Sequence, residues 1–179
     1  MHSVGTQAES LIRPVSFDDV SSVMKQSGFE TWALAGNDVM EAMAVYADTA
    51  DLERYGLHPL QSVPGALVVA FPYDPRPVRP APGHAGIAAF ARRNRYHAMA
   101  RLLGVAGRSL ALLSGLPARG FRTVVNSRLP EKELAILAGL GVGGRSSLVV
   151  TYAYGPSCLL GALLLPDGFR LTPGNGSGL

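Results

Sequence analysis

FRTVVNSRLPEKELAILAGLGVGGRSSLVV, residues 121–150, is the stretch whose reading decides the fold. It opens on an apolar run of strand character (Phe121, Thr123, Val124, Val125) and turns at Asn126-Ser127. Pro130 suits the first turn of a helix, where its missing N–H costs nothing, and Glu131 and Glu133 add favourable charge there. Leu134, Leu137 and Ala138 share a helical face, and the helix must stop at the glycine run 139–144. Arg145, Ser146 and Ser147 follow, then a second strand-like run, Leu148 to Thr151. This order of strand, polar corner, short helix, glycine hook, basic and hydroxyl cluster, and strand suggests a seat for a large ligand with polar appendages. Four glycines in six residues allow close backbone approach, with N–H groups available to polar edges.

Composition limits the alternatives. A chain of 179 residues suffices for one domain with a substantial core. With 47% hydrophobic and 16% charged residues it is not a disordered chain. Its longest apolar run, near Cys158 to Leu165, falls far short of the ~20 residues needed to cross a bilayer. Residues 1–13 lack a signal-peptide pattern, so no membrane partner and a cytoplasmic location are expected. The net charge of +3 is centred on Arg92-Arg93-Asn94-Arg95, which reads as a solvated surface or as a phosphate-contacting patch. Cys158 is the single cysteine, so the chain can provide neither an intrachain disulfide nor the four thiolates of a cubane cluster.

Upstream, Ser16-Phe17-Asp18-Asp19 predicts a capped helix with Val20, Met24 and Phe29 on its buried face. Thr31 to Leu34 reads as a strand, and Asp38 to Tyr55 as helical with a candidate break around Asp48-Thr49, with Met40, Met43, Ala44 and Ala47 inward. Leu67 to Phe71 is a continuous apolar strand suited to the middle of a sheet. Residues 74–86, rich in proline, are extended and placed to form a rim. From Tyr96 a long helix carries Met99, Leu102, Leu103, Ala106, Leu110 and Leu113 inward until Gly115-Leu116-Pro117. The apolar runs within 148–165 read as a hairpin, and Phe169 to Thr172 as a last short strand.

The segment 126–150 resembles the catalytic domain of epoxyqueuosine reductases, cobalamin-dependent iron–sulfur enzymes of tRNA queuosine synthesis. It keeps Ser127, Glu131, Lys132, Leu134, Ala135, the run Ala138 to Gly141, Gly144 and Leu148 of that family's pattern. It departs with Val142 for a tryptophan, Arg145 for lysine, Ser146-Ser147 for Asn-Thr, and Asn126 for the family's aspartate. Weaker matches, including Tyr96-His97, extend the resemblance over about residues 25–172.

The resemblance implies an α+β fold: a mixed sheet with packed helices, nitroreductase-like and cobalamin-binding. It divides the chain into an N-terminal segment and helix (1–24), the reductase-like domain (25–172) and a flexible tail (173–179). It implies a cobalamin-dependent oxidoreductase of tRNA modification, with tRNA as a partner and a ferredoxin-like iron–sulfur donor acting in trans. Asn126 stands at the family's acid position. An amide donates a hydrogen bond but releases no proton at accessible pH, so self-sufficient catalysis is not expected. Asn126 also reads simply as a turn residue. Tyr96, His97, Ser127, Gly139, Gly141, Gly144, Arg145, Ser146 and Ser147 are the candidate cofactor contacts. The competing readings are a helix cap and turn for the glycines and a partly exposed helix start for His97. No His, Cys or carboxylate spacing suggests a protein-held metal. Cys158 reads as an inert buried thiol. The alternative functions are a non-catalytic corrinoid-binding or carrier module, or a nitroreductase-like protein holding FMN.

Overall fold

The computed structural model describes residues 12–46, 63–127 and 129–174. The sequence readings for residues 47–62, including the break at Asp48-Thr49, and for the ends of both termini lie outside these residues. Eight strands and four α-helices are present among the described residues. They run β1 (Val15–Ser16), α1 (Phe17–Gln26), β2 (Thr31–Ala35), α2 (Asn37–Met43), β3 (Ala66–Pro72), α3 (Arg95–Ser114), β4 (Arg122–Val125) and α4 (Glu131–Leu137). Then follow β5 (Gly141–Gly143), β6 (Val149–Thr151), β7 (Cys158–Leu164) and β8 (Leu171–Thr172).

The central sheet has the order β2-β3-β7-β4, and every neighbouring pair in it is antiparallel. A parallel pair occurs at the short β1–β8 ladder, so the α+β class holds with the mixed pairing outside the central sheet. β3 is apolar throughout because it is covered on both faces. Leu67 and Val69 join a cluster with Met24, Phe29, Met99, Leu103 and Leu110 from α1, α3 and the loop after α1. Ala66, Val68 and Ala70 face the opposite cluster with Met40, Met43, Leu134 and Leu140. Fully burying such side chains contributes roughly 1.5–3 kcal/mol each, which outweighs the weak helix-forming tendency of a segment as short as α2.

Local chemistry sets the element ends. Ser16 Oγ accepts the Asp19 N–H at 3.1 Å and caps α1. Gly115, at φ 75, ends α3 in the left-handed region that glycine enters without steric cost. Pro130 sits just outside α4 as its capping residue rather than inside the first turn. The expected hairpin over 148–165 is not formed. β6 pairs with β5, β7 enters the central sheet, and a corner at 151–158 separates them. In that corner the main chains of Thr151 and Gly155 exchange hydrogen bonds of 3.0 and 2.9 Å, which redirects the chain. Leu113, expected inward on α3, is 41% exposed.

Candidate functional site

Register places one end of the sheet under a cleft. Pro72 at the end of β3 lies opposite Cys158 at the start of β7, and Val125 at the end of β4 lies opposite Gly161. The chain leaves β3 through Tyr73, leaves β4 through Asn126 and enters β7 past Pro156 and Cys158. These residues, with Leu159 and Leu160, line a cleft of about 380 Å³. Tyr96 from the first turn of α3, Glu131 and Lys132 from α4, Leu148 and Val149, and Phe90 complete it. The volume falls within the usual range of small-molecule sites. Phe90 and Leu148 line the cleft yet remain 51% and 45% exposed, so its mouth is wide.

The corner after β4 builds a polar wall of the cleft, with Asn126 exposed and Ser127 and Glu131 half-buried. Asn126 has φ 49, a left-handed conformation that asparagine tolerates better than most residues. The Ser127 N–H donates to Glu131 Oε1 at 2.8 Å and the Ser127 hydroxyl to the same oxygen at 3.2 Å. Ser127 Oγ also accepts the Leu129 N–H at 2.9 Å. Burial pushes the Glu131 carboxyl above its ordinary value, against the lowering effect of the Ser127 hydrogen bonds, and the charge of Glu133 adds to the rise. Burial also raises the Tyr96 phenol, with the charge of Glu131 as the next cause. The Cys158 thiol is raised by burial, opposed by its contact with Thr151 Oγ1 at 3.8 Å.

Across the cleft, Tyr73 ties the end of β3 to the 155–157 corner. Its N–H donates to the Ser157 carbonyl at 3.0 Å and its hydroxyl to that of Pro156 at 3.4 Å. The proline-rich segment leaves at Tyr73 and the chain returns through Phe90, and both of these residues line the cleft, while residues 74–86 do not.

Of the residues singled out in the sequence, Asn126 and Tyr96 line the cleft. Ser127 stands behind them, holding Glu131. His97 is exposed, its N–H capped by Asn94 Oδ1 at 3.4 Å, and its side chain is not part of the lining. The glycine run has structural duties. Gly139, at φ 74, donates to Ile136 while Leu140 donates to Ala135, a Schellman cap that ends α4. A Cβ on Gly141 would lie 2.5 Å from the Val150 carbonyl oxygen, so the β5–β6 hairpin requires glycine there. The Gly144 N–H donates to Leu148, and that of Ser147 to Gly144. At Gly139, Gly144 and Ser147 the expected seat of free main-chain donors is corrected, because the cap and the turn use those N–H groups themselves. What the turn offers outward is the exposed side chains of Arg145, Ser146 and Ser147, next to Leu148 at the cleft mouth.

Two residues were undervalued in the sequence. Glu131 read as helix-start charge and Cys158 as an inert core thiol, yet both line the cleft. The arginine cluster is partly structural. Arg95 donates to the Pro72 carbonyl at 2.7 Å, and Arg92 to the Arg76 carbonyl at 2.6 Å. Among the described residues no group of three His, Cys, Asp or Glu side chains could hold a metal ion, and no helix is long and apolar enough to cross a membrane.

An antiparallel sheet sandwiched between helices, with a half-open cleft at one end of its strands, defines the class of α+β domain. The solved structures similar to it are epoxyqueuosine reductases. That of Streptococcus thermophilus matches 89% of this chain and 50% of its own, with 18% identity and a TM-score of 0.62. The Bacillus subtilis enzyme, with its catalytic loop swung out of the active site, matches 90% and 49%, with 17% identity and a TM-score of 0.58. An epoxyqueuosine reductase with an epoxyqueuosine-modified tRNA-Tyr stem loop matches 90% and 49%, with 18% identity and a TM-score of 0.58. At this identity the likeness establishes the fold, and the chain spans about half the length of these enzymes. No protein-family model matches the chain, and no curated protein does.

Proposed function

We propose that this chain is a corrinoid-binding domain of the epoxyqueuosine-reductase kind, acting on a tRNA-borne substrate with electrons from a separate ferredoxin-like iron–sulfur donor. The observation that carries the reading is the position of the cleft: the Asn126 corner, at the family's acid position, opens into it beside Tyr96. The fold shared with epoxyqueuosine reductases over 89% of the chain supports it.

The residues present fit a corrinoid. Tyr73, Phe90, Leu148 and Leu159 give an apolar face for a flat ring, and the wide mouth lets a ligand larger than the cleft extend outward. Arg145, Ser146 and Ser147, exposed on the turn before Leu148, would engage its amide or phosphate groups. A corrinoid brings its metal already chelated, so it asks the cleft for a face and for polar contacts rather than for metal ligands. When bound and reduced, it supplies a strongly nucleophilic cobalt centre. The chain's own part is to hold the substrate against it, exclude water with the apolar walls, and orient an oxygen through the Asn126 amide.

A second reading, a corrinoid carrier without turnover, is favoured by the amide at position 126. No feature of the described cleft singles out a flavin. Titration with hydroxocobalamin, followed by visible absorbance and gel filtration, tests the proposal. Shifted corrin bands and co-elution are expected; unchanged bands with no retention overturn it. Adding titanium(III) citrate and an epoxyqueuosine-modified stem loop then separates the two readings, since turnover marks a reductase and binding alone a carrier. Asn126→Asp, tolerated in the same backbone conformation, is expected to raise turnover.

A further inference from the structure

On the corrinoid reading above, an oxygen departing from carbon in this cleft needs a proton, and the Asn126 amide cannot release one. We propose that Glu131 is the proton donor of the cleft, a catalytic acid placed on α4 rather than on the corner after β4.

Placement comes first. Glu131 is the acidic side chain among the lining residues, on the same wall as Asn126 and facing Tyr96 and Tyr73, with Lys132 beside it. Its carboxyl is held rather than free. Both donors of Ser127, the N–H at 2.8 Å and the hydroxyl at 3.2 Å, go to Oε1. The same two donors stabilise the carboxylate once the proton has gone, so one local arrangement serves both protonation states.

The neighbouring titratable groups narrow the choice. Burial, with the charge of Glu133 adding to it, raises the Glu131 carboxyl above its ordinary value and so favours the protonated form that a proton donor needs. The same burial drives Tyr96 and Cys158 upward from already alkaline values, away from neutrality. Lys132 is exposed.

The step balances. The O–H bond of Glu131 breaks and an O–H bond forms on the departing oxygen, which leaves with the C–O bonding pair. A corrinoid, if bound and reduced, would supply the carbon's replacement pair and would be recharged by the proposed iron–sulfur donor. Solvent reaching the wide mouth returns a proton to the carboxylate.

Glu131 also closes the corner to Ser127, so loss of activity alone would not prove the role. The test uses the full chain, with carboxyl-carbon-13-labelled glutamate and the Glu131→Gln variant to assign the resonance. The Glu131 carboxyl is expected to titrate above its ordinary value of 4.5, and higher again with hydroxocobalamin bound. With titanium(III) citrate and the modified stem loop, wild-type turnover falls as pH rises through that titration. Glu131→Gln cuts turnover by about 10²–10⁴-fold and abolishes that fall, while Glu131→Asp restores part of the rate. An ordinary titration, or cobalamin-loaded Glu131→Gln turning over at the wild-type rate, overturns the assignment. If Glu131→Gln does not fold, Glu131→Asp assigns the resonance and the wild-type titration decides. Failure of hydroxocobalamin to bind the wild type overturns the corrinoid reading and this assignment together, whereas binding with Glu131-independent turnover overturns this assignment alone.

Discussion

Arg95 Nη1 donates to the carbonyl of Pro72 at 2.7 Å, and the same guanidinium lies 5.8 Å from the centre of the Phe71 ring. The start of α3 is thereby fastened to the end of β3, beside the cleft. A charge-assisted hydrogen bond is worth about 1.5–3 kcal/mol and an exposed cation–π contact about 0.5–1. Partial solvent access reduces both. Arg95→Ala is therefore expected to lower unfolding free energy by about 1–2 kcal/mol, while Arg93→Ala, at an exposed position, stays within ~0.5. Urea unfolding of the two variants checks this, and equal losses would contradict a fastening role for Arg95.

Glu131 links stability to pH. Its folded-state pKa lies above its unfolded value because burial disfavours the carboxylate. Its contribution is fully present below the unfolded value and is lost as pH rises through the folded one. The stability of the wild type relative to Glu131→Gln is thus expected to decline as pH is raised from about 4 towards neutrality. Paired urea titrations across that window measure the difference; a flat or rising difference would refute the burial argument.

Cys158 offers a clean chemical probe, being the single cysteine of the chain. Its thiol is raised from 9.0 by burial, so little thiolate is present at pH 8. Iodoacetamide should modify it more slowly than a free thiol, and hydroxocobalamin in the cleft should slow it further. Denaturant should remove both effects. Modification at the free-thiol rate in the native protein would show that the cleft is wetter than described.

Two glycines of α3 separate packing from helix propensity. A Cβ on Gly107 would sit 3.0 Å from the Cβ of Phe121 and 3.3 Å from Leu163 Cδ1. The Phe121 Cβ is fixed to its main chain and cannot yield, so overpacking of about 1–3 kcal/mol exceeds the ~1 kcal/mol of helix propensity gained. Gly107→Ala should destabilise by about 1 kcal/mol. Gly104, whose Cβ would meet only the flexible Arg108 Nη1 at 3.6 Å, should tolerate alanine and gain up to ~1 kcal/mol. Thermal unfolding of both variants tests the opposite signs.

The elements most legible in the sequence are those set by local chemistry. The Ser16 cap, the Gly115 stop, the glycine ending α4 and the doubly buried β3 each follow from residues within a few positions of one another. Pairing did not follow in the same way. The two apolar runs of 148–165, parted by Gly155-Pro156-Ser157, read as one hairpin, yet the Thr151–Gly155 exchange redirects the chain and β7 pairs with strands far off in sequence. The site was half legible. Asn126 and Tyr96 were found by resemblance and line the cleft. The main-chain donors of Gly139, Gly144 and Ser147 could not be seen to serve the cap and the turn, because free and paired N–H groups look alike in a sequence. Glu131 carried a signal: it stands four residues after a serine, at the reach needed to bond that serine's donors.

β7 runs through the middle of the sheet, and its first residues, Cys158 to Leu160, pair with β3 while forming the base of the cleft. Segments so embedded exchange their amide protons only through global opening. The cleft base is accordingly as durable as the whole domain, while the Tyr73–Phe90 excursion and the turn at 144–147 stand outside the sheet. Ligand preference in this architecture can therefore drift by editing two borders, with the load-carrying ladder left untouched beneath them.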